Sequence, residues 1–123
     1  MLYRYLCNRG VKDKAYIDYL KKIDSFQMGF RLTSINGFDF KVIQLFDKTD
    51  YPGRGLIVTN EILGTDHGDI VAIGAIDGDD LVCIDVARGK IVIWMIENGE
   101  GEYLDIADSF SEFAEMALIN INF

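Results

Sequence analysis

Three apolar runs follow one another in residues 68–96, GDIVAIGAIDGDDLVCIDVARGKIVIWMI. The runs cover 69–76, 81–86 and 91–96, each has the length of one β-strand, and all are rich in β-branched residues. The connection 77–80 contains the pair Asp77-Gly78, and the connection 87–90 contains Arg88-Gly89. Such glycine-containing pairs are typical of tight turns. This stretch predicts three strands joined by hairpins, which residues 103–106 extend by a fourth, short strand.

These strands are apolar on both faces. Leu81 and Cys83 share one face of their strand, while Val82 and Ile84 lie on the other. A sheet with two apolar faces has to be covered on both sides. Helices can cover one face, and a loop or a partner chain must then cover part of the other.

Two helices are predicted from spacing and capping. In residues 13–23 the apolar side chains recur at i, i+3, i+4 and i+7, and Asp13 stands where the N-cap would be. Near the C-terminus, Ser109 and Glu112 fit a capping box, and the apolar positions that follow have helical spacing. The N-terminal residues preceding Asp13 give no clear element.

The region between the helices is predicted to hold a hairpin. Strands at 29–33 and 40–46 flank Asn36-Gly37, a strong two-residue turn signal. Residues 47–55 contain the single proline and predict a loop, whereas 55–63 fits a strand or a helix. The tail 119–123 alternates with period two and is compatible with a short strand. The length of 123 residues is that of one domain, 1–123.

The charge is distributed unevenly. The chain has 123 residues and a formal charge of -8, and residues 66–123 hold 13 acids against two bases, Arg88 and Lys90. An acidic chain repels nucleic-acid phosphates and anionic membrane surfaces, so neither is an expected partner. No apolar run reaches the length of a membrane span, and the N-terminal stretch is too short for a secretory signal. We expect a cytoplasmic protein.

No catalytic or metal-binding motif stands out. The single histidine, His67, lies in an acidic turn with Asp66 and Asp69, a combination that is more common without an ion than with one. Cys83 lies inside an apolar run and is expected to be a buried, reduced thiol, although a bridge to Cys7 stays open at this point. We expect no cofactor, no metal and no enzymatic activity.

The order of motifs from Gly68 to Leu118 resembles the SUKH superfamily, whose founding members are the Smi/Knr-type cell-wall regulators of fungi. The similar features are the strands DIVAIG, CID and GKIVIW and the helix start ADSFSEF, at 69–74, 83–85, 89–94 and 107–113. Upstream, YIDYL at 16–20 is similar to the Y-x-x-F-L helix of the family. Gly29-Phe30 is similar to the glycine–aromatic pair at which the family's chain enters the sheet. The resemblance is closest over 68–118. In most family members a further helix and a Leu-Pro turn precede the Y-x-x-F-L helix, so the N-terminus is expected to be shorter than usual here.

The resemblance implies an α+β fold over 1–123, with helices packed on a twisted, mostly antiparallel sheet. It also implies a non-catalytic protein-binding domain. Bacterial members are mostly immunity proteins that bind a toxin, often a nuclease, and fungal members are regulatory scaffolds. The short N-terminus implies that part of the sheet is open for a partner or a second copy. Because a nuclease presents a basic surface, we expect the partner to meet turn acids and one aromatic residue: Asp66, Asp69, Asp77, Asp79, Asp80, Trp94, Glu97, Glu100 and Glu102.

Two other interpretations stay open on sequence alone. A regulatory interaction module of the Smi/Knr type would bind a partner that is not a toxin, with little dependence on salt. A small enzyme would use an acidic cleft, with His67 or a pair of turn acids as its working groups.

Overall fold

A computed structural model describes residues 2–22, 27–28, 32–35, 38–65, 68–76, 80–95 and 102–116 of the chain. Within these ranges there are four helices and seven strands. In chain order they are α1 (Leu2–Asn8), α2 (Lys14–Lys22), β1 (Gln27–Met28), β2 (Leu32–Ile35), β3 (Phe38–Leu45), α3 (Leu56–Leu63), β4 (Ile70–Ile76), β5 (Leu81–Asp85), β6 (Lys90–Met95), β7 (Glu102–Ala107) and α4 (Phe110–Met116).

The strands form an antiparallel sheet. Strands β3 to β7 are neighbours in chain order, and β1 and β2 both pair with β3. Consecutive strands joined by short connections need no crossover, which is why the sequence could indicate the order of β4, β5, β6 and β7. The structure confirms the predicted α+β class with a mostly antiparallel sheet.

Most predicted hairpins are present. The pair Ile35↔Phe38 leaves a two-residue connection between β2 and β3, and the Asn36-Gly37 dipeptide that predicted it lies outside the described residues. Between β5 and β6 the Gly89 N–H donates to the Asp85 carbonyl over 2.7 Å. The predicted strands at 69–76, 81–86, 91–96 and 103–106 agree with β4 to β7 within one or two residues.

The central strands are buried on both faces, as predicted. Val82 and Cys83 point to opposite faces of β5, and neither has any exposed surface. Strand β6 shows the same, because Ile91, Val92 and Ile93 are all fully buried. The apolar faces of β5 and β6 are therefore covered within the single chain. The expectation that part of the sheet is open is wrong for these two strands.

The reason lies partly in α1, which the sequence analysis did not predict. Leu2 and Leu6 of this helix are buried in the core. The helix is also tied to the sheet, because the Arg9 guanidinium donates to the Tyr5 hydroxyl at 2.7 Å and to the Ile70 carbonyl at 2.7 Å. The segment that seemed too short for a further helix thus contains one.

Asp13 connects the two helices that the sequence did predict. One carboxylate oxygen accepts the Tyr16 N–H of α2 at 3.2 Å, which confirms Asp13 as the N-cap. The other oxygen accepts the Phe110 N–H at the start of α4 at 2.7 Å. At the same helix, the Ser109 hydroxyl accepts the Glu112 N–H at 3.2 Å, one half of the predicted capping box. A single acid therefore satisfies one N-terminal amide on each of two helices.

The stretch 55–63, which fits a strand or a helix on sequence alone, contains helix α3. This helix places the buried side-chain amide of Asn60 against β4. Leu56, Thr59 and Asn60 lie on its buried side. The Asn60 side chain accepts the Ala72 N–H and donates to the Ala72 carbonyl, both at 2.9 Å. It thus replaces a neighbouring strand at a position where β3 no longer pairs with β4. The helix ends at Gly64, whose positive φ favours glycine.

The two cysteines are free thiols. Cys83 is fully buried, as predicted, whereas Cys7 is exposed on α1, so the bridge left open by the sequence does not form. Burial raises the pKa of the Cys83 thiol, which keeps it neutral. The predicted terminal strand at 119–123 lies outside the described residues.

Candidate protein-binding surface

The hairpin topology gives the sheet two ends of different character. We define the acidic end by Asp80, Trp94, Glu102 and Tyr103, which lie where β4 and β6 finish and β5 and β7 begin. The register places Leu81, Trp94 and Tyr103 in one row across three strands. We define the ion-paired end, at the opposite end of the same strands, by the side chains Asp85, Arg88, Lys90, Asp105 and Asp108.

The structure brings three of the predicted site residues together. Asp80, Trp94 and Glu102 all lie at the acidic end, with β5 and β7 separated by two strand spacings, about 10 Å. Asp69 lies at the other end of β4, seven residues before Ile76, or about 23 Å along the strand. Asp66, Asp77, Asp79, Glu97 and Glu100 lie outside the described residues, as does His67. The four predicted residues that the structure describes therefore divide between the two ends of the sheet, three at the acidic end and Asp69 at the other.

Charge is concentrated in the segments that meet the acidic end. The connection 77–80 and the connection 96–101 with Glu102 contain six acids and no Lys, Arg or His. Both connections start and finish at this end, because each joins two antiparallel neighbours there. Asp80 is half-buried and Glu102 is exposed.

An aromatic pair accompanies the acids. The rings of Trp94 and Tyr103 stack with centroids 6.0 Å apart and an interplanar angle of 19°. Tyr103 remains 48% exposed, whereas Trp94 is partly buried and its indole Nε1 is inaccessible, with no hydrogen-bond partner among the described residues. Partial burial raises the pKa of the Tyr103 hydroxyl, so it stays a neutral donor at physiological pH.

Tyr103 was not among the predicted site residues. The sequence showed a short strand at 103–106 but gave no way to determine which β6 residue would face it. The register Trp94↔Tyr103 supplies that information. Its only sequence signal was an aromatic residue beginning a strand directly after an acidic turn.

The ion-paired end uses its acids differently. Arg88 donates to both oxygens of Asp105, at 2.7 and 2.8 Å, and through Nε to Asp85 at 2.7 Å. Lys90 lies 3.6 Å from Asp108. The hydrogen bonds from Arg88 hold the pKa of the Asp105 carboxyl below its usual value. The only two bases of residues 66–123 are thus engaged at this end of the sheet.

A groove of about 540 Å³ also opens at this end, between the α1–α2 connection and the β5–β6 turn. Its charged lining includes Asp13, which caps two helices, and Arg88, which holds two acids.

Within the described ranges, no three His, Cys, Asp or Glu side chains are grouped as a metal site would require. No helix in that part of the chain is long and apolar enough to span a bilayer.

The described geometry is that of a small α+β domain in which helices pack on an antiparallel meander and one end of the sheet carries acids beside an aromatic pair. The model of the SMI1 / KNR4 family (SUKH-1) matches residues 13–116, so the chain belongs to this family. The match confirms the resemblance, including its upstream part. Domains of this family are generally non-catalytic, and the family includes immunity proteins. Comparisons with curated proteins and with solved structures each gave no significant match.

Proposed function

We propose that this chain is an immunity protein that binds and neutralises a protein toxin, a basic nuclease, through the acidic end of its sheet. It performs no catalysis and acts in the cytoplasm of the cell that it protects. The observation that carries the proposal is the stacked Trp94–Tyr103 pair at the end of the sheet where Asp80 and Glu102 lie.

Charge complementarity is the physical basis of the proposal. A nuclease needs a basic surface to hold nucleic acid, and an acidic protein that covers this surface competes directly with the substrate. Opposite charges also accelerate the encounter of two proteins by one or more orders of magnitude at low salt. Fast association matters for an immunity protein, because a toxin acts as soon as it is free.

The aromatic pair gives the acidic end a chemistry that charge alone lacks. Aromatic residues are enriched at the energetic centres of protein interfaces, where charged residues surround them. Tyr103 offers an exposed ring and a hydroxyl, and a partner arginine can stack on such a ring. We propose a contact surface of Tyr103 together with the predicted residues Asp77, Asp79, Asp80, Trp94, Glu97, Glu100 and Glu102. Asp66 and Asp69 would need a second contact by the same partner.

The experiment is co-expression of this chain with the toxin encoded beside its gene. We expect rescue of growth, and a complex that can be purified at low ionic strength. A variant with Asp80→Lys and Glu102→Lys should rescue poorly, whereas the same change at Asp69 and Glu61, an exposed residue of α3, should rescue normally. Absence of both rescue and complex would refute the proposal.

The same experiment separates the alternatives. A regulatory interaction module would fail to rescue growth and would bind a different host protein with little dependence on salt. A small enzyme would lose its activity on substitution of a single turn acid or of His67. The family membership supports protein binding in either form.

A further inference from the structure

Strand β7 forms one edge of the sheet. It pairs with β6 on one side, and within the described ranges no strand pairs with its other side. Its first four residues, Glu102 to Asp105, are exposed or only partly buried, whereas Ile106 and Ala107 are buried. An edge strand carries a row of backbone N–H and C=O groups that can pair with another extended chain. Here about 13 Å of such an edge is accessible, and it begins at the acidic end.

The alternation of hydrogen bonds shows which backbone groups face outward. The Val86 N–H donates to the Asp69 carbonyl at 2.7 Å, so even-numbered residues of β5 direct their backbone towards β4. Odd-numbered residues of β5 then face β6, and by the observed register odd-numbered residues of β6 face β7. Of these, Ile93 pairs with Leu104 and Met95 with Glu102, so the even-numbered residues face β6 in this part of β7. Tyr103 and Asp105 are left with their N–H and C=O groups directed away from the sheet.

The side chains on this edge determine what can pair with it. Residues 102–107, EYLDIA, carry two acids and no base. Asp105 is held by Arg88 at the ion-paired end. Glu102 is exposed at the acidic end, where the sequence of the adjoining connections 77–80 and 96–101 adds five acids and no base. Charged side chains on an edge strand discourage two copies of the same chain from pairing. A strand with lysine or arginine brings opposite charges together instead. The edge therefore discriminates against self-pairing and in favour of a basic partner.

We propose that the outer edge of β7 binds an extended, Lys- or Arg-bearing segment of the partner protein, which adds to the sheet as an extra strand. The N–H and C=O groups of Tyr103 and Asp105 supply the main-chain hydrogen bonds. The exposed Tyr103 ring and Glu102 contact the basic side chains. The nature of the partner rests on the proposed function, whereas the use of the edge can be tested without the toxin.

The test is amide hydrogen exchange on the ¹⁵N-labelled full chain with a probe peptide, a capped heptapeptide of alternating lysine and valine. At saturation we expect exchange of the Tyr103 and Asp105 amides to slow by about tenfold or more. The Leu104 amide, which already donates to β6, should change much less. A heptapeptide of alternating glutamate and valine is the matched control and should leave all three amides unchanged.

A pair of variants isolates the main-chain contribution. Tyr103→Ala removes the ring and keeps the N–H, whereas Tyr103→Pro removes both. Proline is tolerated on an edge strand where the N–H faces outward, so both variants should fold. We expect the proline variant to bind the lysine–valine peptide about fivefold more weakly than the alanine variant, the equivalent of one lost hydrogen bond.

Several results would overturn the proposal. They are no binding of the lysine–valine peptide, binding without alternating protection along β7, or equal protection by the glutamate–valine peptide. Protection that rises with protein concentration in the absence of peptide would show self-pairing, which contradicts the charge argument. Growth rescue that survives Tyr103→Pro at full strength would refute the edge as the toxin-binding site and would leave the proposed neutralisation standing.

Discussion

The two ends of the sheet are both rich in acids but use them differently. At the ion-paired end, Asp85, Asp105 and Asp108 lie against Arg88 and Lys90. At the acidic end, the two connections carry six acids and no base, and an exposed tyrosine stacks on a tryptophan. At the ion-paired end the acids thus form ion pairs around a turn, whereas at the acidic end the acids contribute a negative electrostatic potential.

This difference shows why net charge alone is a poor guide to an interface. The formal charge of -8 belongs to the whole chain, but acids that hold a base contribute little field beyond their own pair. Removal of an acid that caps a helix should lower the free energy of unfolding, whereas reversal of an acid at the acidic end should chiefly change partner binding. The following predictions test that separation, beginning with the largest effect.

The largest effect is expected at Asp13, beside the ion-paired end. Asp13→Ala removes the acceptors of one amide on α2 and one on α4, and we expect a loss of about 2 kcal/mol in the free energy of unfolding, about 1 kcal/mol per cap. Urea denaturation at an unchanged m-value measures this loss. Asp13→Asn keeps one carbonyl acceptor and should recover about half of it.

Asp108→Ala is the matched control for this prediction. Its side chain is 79% exposed and contacts only Lys90, at 3.6 Å, in the described structure. Its removal should cost less than about 0.5 kcal/mol. Equal losses for the two substitutions would show that Asp13 acts through its charge rather than as a double cap.

A smaller effect is expected at the aromatic pair. Tyr103→Ala removes the ring stacked on Trp94, and we expect a loss of about 1 kcal/mol because stacked pairs contribute in this range. The fluorescence of Trp94, the single tryptophan, should shift to longer wavelength as water reaches the indole. Tyr103→Phe keeps the stack and should leave both quantities unchanged; a loss equal to that of alanine would mean that the hydroxyl matters instead.

The smallest effect concerns the titration of Asp105. Hydrogen bonds from Arg88 lower the pKa of this carboxyl in the folded state, so its contribution to stability is present above the unfolded pKa and is lost as pH falls through the folded pKa. In Arg88→Met the pKa of Asp105 should return towards its ordinary value, as a ¹³C NMR titration of the carboxyl would show. Lys90→Met should shift it less, since Lys90 Nζ is 4.0 Å away. An unchanged pKa in the Arg88 variant would contradict the pairing.

The sequence predicted the sheet from β4 to β7 well because strand length, turn chemistry and burial all indicated the same order. It predicted α2 and α4 for the same reason, since spacing and capping residues agreed. It missed α1, a short helix of seven residues in which two, Leu2 and Leu6, are buried. It also could not assign α3, because the decisive contact of Asn60 with Ala72 is made across twelve residues and belongs to the tertiary structure.

The candidate site was predicted in part. Acidic turns and Trp94 were visible in the sequence, but their grouping depended on which end of the sheet each turn occupies. Strand order places Asp80 and Glu102 at one end and Asp69 at the other. Tyr103 needed the register with Trp94, and the outward direction of its backbone needed the hydrogen-bond alternation as well. Composition determines neither the strand register nor the alternation of hydrogen bonds.

The central claim is that the acidic end, rather than overall charge, binds the partner. The most direct test is the rate of association with the neighbouring toxin, measured by stopped flow over a range of salt concentrations. The variants are Asp80→Lys with Glu102→Lys, and Asp69→Lys with Glu61→Lys, which change the formal charge equally; both are first checked for wild-type melting temperature. We predict that the first pair slows association about tenfold or more at low salt, with the difference shrinking as salt rises, and that the second pair changes it little. Equal slowing by both pairs, or slowing by the second pair alone, would contradict the account.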